Sequence, residues 1–120
     1  MKKILIVDDE PNIVMTLEYT FKKSNCEVFI ARDGQEALDI LKTNFPDVII
    51  LDIMMPMVDG FATLEQIRKD VNLQHTKVMF LSAKNKESDI EKGLALGADA
   101  YMTKPFSIKK VVEKVEELLA

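Results

Sequence analysis

The chain has 120 residues, 48% apolar and 30% charged, with a formal net charge of −4. That length suits one domain with one core, residues 1–120, and the acidic balance excludes a basic surface for nucleic acid. A single cysteine, Cys26, excludes an internal disulfide framework and reads as a small, partly buried residue beside a strand.

Ile4-Leu5-Ile6-Val7 is the first apolar run, and it meets Asp8-Asp9-Glu10 at once. It is too short for a signal-peptide core, and no other stretch is long enough to span a membrane. A cytoplasmic protein without membrane contact is expected. Lys3 to Val7 reads as a strand. Pro11 and the acidic residues before it suit the first turn of a helix. Ile13, Val14, Leu17 and Phe21 then recur at helical spacing, and Lys22-Lys23 suit the helix C-terminus. Glu27 to Ala31 is a short second strand. Asp33-Gly34 turns into a second helix with Ala37, Leu38, Leu41 and Phe45 on its apolar face, stopped by Pro46.

Val48 to Leu51 is an uninterrupted, β-branched run, as in a strand buried on both faces of a parallel sheet. It ends at Asp52. Pro56 and Asp59-Gly60 break the chain into a loop, and a third helix carries Phe61, Leu64 and Ile67. Val71 to Thr76 reads as a polar connection, with His75 as a solvated loop residue. Val78 to Leu81 is a fourth strand ending at Ser82-Ala83-Lys84. A weak helix with Ile90, Leu94 and Ala95 ends at Gly97. Gly93 inside it lowers helix propensity and predicts comparative mobility. Asp99 to Met102 is a fifth strand ending near Thr103-Lys104-Pro105. The last helix aligns Ile108, Val111, Val112, Val115, Leu118 and Leu119.

Five short strands alternating with five helices imply parallel pairing and right-handed crossovers. The expected fold is a three-layer, doubly wound α/β sandwich, flavodoxin-like, with strand order 2-1-3-4-5. In such sheets the carboxyl ends of the strands line the binding crevice. That order sets Asp8 and Asp9 beside Asp52. A lone aspartate at a strand end is ordinarily just solvated. Here three carboxylates converge, and their mutual repulsion calls for a cation. Oxygen donors without histidine or cysteine suit magnesium rather than zinc. Ser82 adds a hydroxyl and Lys104 an ammonium from two more strand ends. A cation, a lysine and a hydroxyl around one carboxylate suit a phosphoryl group, with Asp52 as nucleophile.

The chain resembles the receiver domain of two-component response regulators over its full length. The resemblance is carried by Ile4-Leu5-Ile6-Val7-Asp8-Asp9-Glu10, by Asp47-Val48-Ile49-Ile50-Leu51-Asp52-Ile53-Met54-Met55-Pro56, by Asp59-Gly60, by Leu81-Ser82-Ala83, and by Gly97-Ala98-Asp99-Ala100-Tyr101-Met102-Thr103-Lys104-Pro105-Phe106. It implies that Asp52 takes a phosphoryl group from the phosphohistidine of a sensor histidine kinase or phosphotransfer protein. It implies magnesium, with manganese as a substitute, bound directly by Asp9, mostly through water by Asp8, and by Asp52 and the Met54 carbonyl. Lys104, the Ser82 hydroxyl and the Ala83 amide would hold the phosphoryl oxygens. Lys104-Pro105 would be a cis peptide, and Ser82 with Tyr101 a switch. Met54 and Lys84, each two residues past a site residue, would modulate the lifetime of the phosphorylated state. The output is an unknown protein or a fused effector domain. The molecule is expected as a monomer or as a phosphorylation-dependent dimer through the fourth helix, fifth strand and last helix. Ala100 stands where an aspartate is common in the winged-helix subgroup, which weakens the case for that subgroup's salt-bridged dimer. On this reading the chain is a signalling domain that catalyses its own aspartyl phosphorylation and dephosphorylation, not an enzyme acting on other substrates.

Three rivals differ at specific positions. An aspartyl-phosphate phosphatase of the haloacid dehalogenase type needs an acid two residues after its nucleophile; Met54 stands there. A flavin or nucleotide binder wants a glycine- or hydroxyl-rich loop after the first strand; Asp8-Asp9-Glu10-Pro11 repels phosphate. A receiver-like scaffold that is never phosphorylated has no use for the complete acidic set.

Overall fold

A computed structural model describes residues 1–120. The chain runs β1 (Lys3–Val7), α1 (Pro11–Lys23), β2 (Glu27–Ala31), α2 (Gly34–Ile40), β3 (Val48–Leu51), α3 (Gly60–Lys69), a 3-10 turn (Val71–Leu73), β4 (Lys77–Ser82), α4 (Glu87–Ala95), β5 (Ala100–Thr103) and α5 (Ile108–Leu119). All four strand pairings are parallel and the order is β2-β1-β3-β4-β5, the flavodoxin-like order expected from sequence. Val7 pairs with Leu51, so the residues that follow them, Asp8 and Asp52, leave the sheet side by side.

The period-2 geometry of the strands divides the core in two. Leu5, Val7, Ile49, Leu51, Val78 and Phe80 face the layer of α2 and α3. Ile4, Ile6, Val48, Ile50, Met79 and Leu81 face α1 and α5, meeting Leu17, Phe21, Val111 and Val115. β1, β3 and β4 are covered on both faces, which is why their sequences are continuous apolar runs. β5, at the edge, is only half-buried along its length.

Four local differences from the sequence reading have physical causes. α2 ends at Ile40, well before Pro46, and Phe45 is 49% exposed rather than part of an apolar face. The chain there unwinds through turns in which the amides of Lys42, Thr43 and Asn44 bond back to Asp39 and Ile40 carbonyls. Val71 to Thr76 is not simply polar: Leu73 joins the core, and buried Thr76 donates its hydroxyl to the Pro46 carbonyl at 3.0 Å. β5 begins at Ala100, because the Asp99 side chain instead accepts the Val78 amide at 2.8 Å. Finally, Gly93 does more than weaken α4. A Cβ there would lie 3.0 Å from the Phe80 ring and 3.1 Å from the Tyr101 ring, so its absence lets α4 seat directly on both.

Candidate functional site

The site lies on the carboxyl rim of the sheet. Asp8 and Asp52, one residue past β1 and β3, are each 3% exposed. Their positions are fixed by backbone bonds: the Asp8 amide donates to Ala31 and the Asp52 amide to Val7. Asp52 Oδ1 accepts the Ile53 amide at 2.8 Å, and Asp8 Oδ1 accepts the Glu10 amide at 2.9 Å. Gly60 closes the loop behind Asp52. Its amide donates to the Ile53 carbonyl at 2.9 Å, and a Cβ on it would run into the Asp52 carbonyl. Only glycine permits that approach of α3 to the end of β3.

Lys104, after β5, reaches across this rim with its side chain 9% exposed. Its Nζ donates to Asp8 Oδ2 at 2.9 Å and to Glu10 Oε1 at 3.0 Å, and lies 3.7 Å from Asp52 Oδ2. The Lys104–Pro105 peptide is cis. Burial raises the Asp52 pKa to about 6, helped by the Asp8 charge and opposed by Lys104 and by the Ile53 and Met54 amides. Burial also raises Asp8, against the Glu10 amide and Lys104. Burial would lower Lys104, but its bonds to Asp8 and Glu10 and the nearby Asp52 charge together hold it raised. The ammonium is therefore retained and both carboxylates are under electrostatic load.

Carboxylate oxygens of Asp8, Glu10 and Asp52 lie within 4.8 Å of one another, a group able to hold a metal ion. Hard oxygen donors crowded against a repulsion that a divalent cation relieves suit magnesium. Asp9, expected as a direct ligand, is exposed on the next residue and its carboxylate stands outside this group. Glu10 takes the place beside Asp8 and Asp52. Its signal in the sequence was its position at the start of α1, where a glutamate side chain makes no cap bond and is free to turn elsewhere.

Ser82 is fully buried at the end of β4, and its Oγ accepts the Lys84 amide at 3.2 Å. The Lys84 carbonyl accepts the Tyr101 hydroxyl at 2.7 Å. Ser82 and Tyr101 thus share Lys84 as a partner. The Tyr101 ring is partly buried and packs 5.7 Å from the Phe80 ring. Ala83 is exposed and lines an open cleft with Glu10, Ile13, Lys104, Pro105 and Phe106. The Met54 side chain is exposed beside Asp52, and Met57 in the same loop is exposed with φ of 70°. His75 is exposed and is not among the acidic group. No helix is long and apolar enough to cross a membrane.

Residues 4–116 match the family described as the response regulator receiver domain. The chain is 45% identical over 118 residues to the alkaline phosphatase synthesis transcriptional regulatory protein PhoP of Bacillus subtilis (strain 168), covering 98% of this chain and 48% of that protein. It therefore spans about half the length of that curated relative. Among solved structures, the receiver domain of Francisella response regulator 1452 superposes with a TM-score of 0.90 at 37% identity, covering 99% of this chain and 97% of that one. Vibrio cholerae chemotaxis protein CheY4 gives a TM-score of 0.93 at 30% identity, with 99% of each chain covered. With the acidic rim, the strand order and these likenesses in agreement, the chain belongs to the response regulator receiver domain family, a family of phosphorylation-dependent signalling domains.

Proposed function

We propose that Asp52 is the phosphoacceptor, and that the chain catalyses its own phosphorylation from the phosphohistidine of a sensor kinase or phosphotransfer protein. The observation that carries this reading is one buried carboxylate flanked by a second carboxylate and a buried lysine. Asp52 Oδ2 faces Lys104 and attacks phosphorus; the new P–O bond forms as the P–N bond breaks, and the electron pair leaves with the imidazole. Lys104, which must leave Asp8 and Glu10 to do so, neutralises the phosphoryl oxygens, joined by the Ser82 hydroxyl and the Ala83 amide. Asp8, Asp9, Asp52 and the Met54 carbonyl would hold magnesium, with manganese as a substitute. When bound, that ion offsets the charge of the carboxylates and of the transferring group. Met54 and Lys84 border the water that would later hydrolyse the acyl phosphate.

The signal leaves through Lys84 and Tyr101. If the Ser82 hydroxyl turns to a phosphoryl oxygen, it releases the Lys84 amide, and the bond from Tyr101 to the same residue is altered. The phosphoryl group thereby biases a two-state face made of α4, β5 and α5. Either an output protein or a dimer partner reads that face.

Intact-mass spectrometry after acetyl phosphate treatment tests the acceptor. One phosphoryl is expected on the wild type with magnesium, and none on Asp52→Asn or in excess chelator. Labelling of that variant overturns the reading. For the switch, amide shifts on beryllofluoride binding are expected to extend to α4 and β5 and to retreat to the Asp52 loops in Ser82→Ala.

A further inference from the structure

We infer that Glu10 is a positioning residue for Lys104: it receives the ammonium when a metal takes Asp8, and releases it only to a phosphoryl group on Asp52. This rests on the receiver reading above. Three observations support it. Glu10 is the N-cap residue of α1, yet its side chain makes no cap bond; it turns to Lys104 Nζ at 3.0 Å instead. The same ammonium lies 2.9 Å from Asp8 Oδ2 and 3.7 Å from Asp52 Oδ2, so it stands where a cation would be drawn by all three carboxylates. The Glu10 side chain is 57% exposed while those of Asp8 and Asp52 are 4% exposed. Lysine can therefore withdraw toward Glu10 without crossing the cluster.

The consequence is competition with opposite signs. A metal ion, or the water through which it binds Asp8, competes with Lys104 for Asp8 Oδ2. Without Glu10, the displaced ammonium has only Asp8 and Asp52 to return to, so it opposes the metal more strongly. The cluster has also lost one negative charge. Both effects weaken magnesium binding. With magnesium saturating, however, Glu10 competes with the phosphoryl group for the same ammonium. Removing Glu10 then strengthens the phosphoryl state. For a pair this exposed, each effect is expected at about threefold in affinity.

The experiment uses three proteins: wild type, Glu10→Gln and Glu10→Asp. Glutamine keeps the length and loses the charge. Aspartate is one methylene shorter, is drawn to the α1 cap and favours the helix, so it separates stability from the lysine contact. Magnesium affinity is measured first, then beryllofluoride affinity at saturating magnesium, and the Lys104 ammonium signal is followed by NMR. In Glu10→Gln, magnesium affinity is expected to fall about threefold and beryllofluoride affinity to rise about threefold. In wild type the Lys104 ammonium should stay protected from water exchange when magnesium is added. It should lose that protection in both variants, including the stabilised Glu10→Asp. If beryllofluoride affinity in Glu10→Gln is unchanged or falls together with magnesium affinity, Glu10 is a metal ligand or a bystander and the inference is overturned. If the wild type binds no beryllofluoride with magnesium, or Asp52→Asn binds it equally well, the receiver reading itself fails and this inference falls with it.

Discussion

The two ends of the strands both carry carboxylates, and they treat them oppositely: Asp8 and Asp52 are buried at the carboxyl end, while Asp47 is half-buried and Asp99 exposed at the amino end. At the amino edge Asp47 and Asp99 each have their own donors. Asp47 accepts the Lys3 amide at 2.8 Å. Asp99 Oδ2 accepts the Val78 amide at 2.8 Å and the Arg68 guanidinium at 3.0 Å. Arg68 also donates to the Gly97 and Thr76 carbonyls, at 3.0 and 2.9 Å. At the carboxyl edge, three carboxylates share one lysine and two of them carry raised pKa values. The first edge satisfies its polar groups and holds the fold. The second leaves charge in excess, and that excess is what a metal and a phosphoryl group can relieve. The contrast lies in the ratio of carboxylates to donors: at the carboxyl edge it leaves buried charge in excess, and around Asp47 and Asp99 it does not.

The largest effect that would break the contrast is at the amino edge. Arg68→Ala leaves the Thr76 and Gly97 carbonyls without their donor and removes the charge partner of Asp99. A loss of about 3 kcal/mol in unfolding free energy is expected, read by urea denaturation. Arg68→Lys should recover little of it, since one ammonium cannot reproduce the planar fork. Phosphorylation of the folded fraction at Asp52 should survive. A variant with wild-type stability would show that the amino edge is not a fastening.

The next effect runs the other way. Ionising Asp52 is unfavourable in the metal-free fold, where its pKa is about 6 against 3.8 for an unperturbed aspartate. Between those values the native state holds a proton that the unfolded chain releases. Stability on this account therefore falls as pH rises through that window. Asp52→Asn removes the cost and should stabilise the chelated protein by about 2 kcal/mol at neutral pH. The gain should shrink toward zero as pH is lowered to about 4. Denaturation curves across that range check it, and destabilisation at neutral pH would mean Lys104 compensates Asp52 fully.

The fold and the rim were legible in the sequence for one reason: buried parallel strands read as continuous apolar runs, so their last residues were countable. Asp8, Asp52 and Ser82 each follow or close such a run, and Lys104 follows the half-buried edge strand β5; all four lie at strand ends on one rim. What stayed hidden depends on side-chain direction or on contacts between distant residues. Glu10 looked like ordinary acidic decoration at a helix start, and only its turn toward Lys104 joins it to the cluster. Gly93 looked like a propensity defect, because nothing in the local sequence says that two aromatic rings lie beneath it. The Arg68 fastening links residues up to 31 positions apart and has no periodic signature. Phe45 was misplaced because helical spacing continues past Leu41 while the backbone has already turned.

The smallest effect concerns Asp9, where the resemblance and the geometry pull apart. The resemblance implies a direct metal ligand; the structure has Asp9 exposed, with Glu10 in the group beside Asp8 and Asp52. An exposed carboxylate with no hydrogen-bond partner contributes little to the metal-free fold. Asp9→Asn should therefore leave the chelated protein within about 0.5 kcal/mol of wild type. The magnesium response is a separate quantity. A cation bound only to the native state raises stability by mass action, so the rise in unfolding free energy on magnesium addition reports its affinity. If Asp9 turns inward to the ion, Asp9→Asn should lose most of that rise while Glu10→Gln loses only part. If the rise survives in Asp9→Asn and vanishes in Glu10→Gln, the cluster seen in the metal-free fold is itself the metal site, and the acidic pair at the end of β1 must be read as Asp8 with Glu10 rather than Asp8 with Asp9.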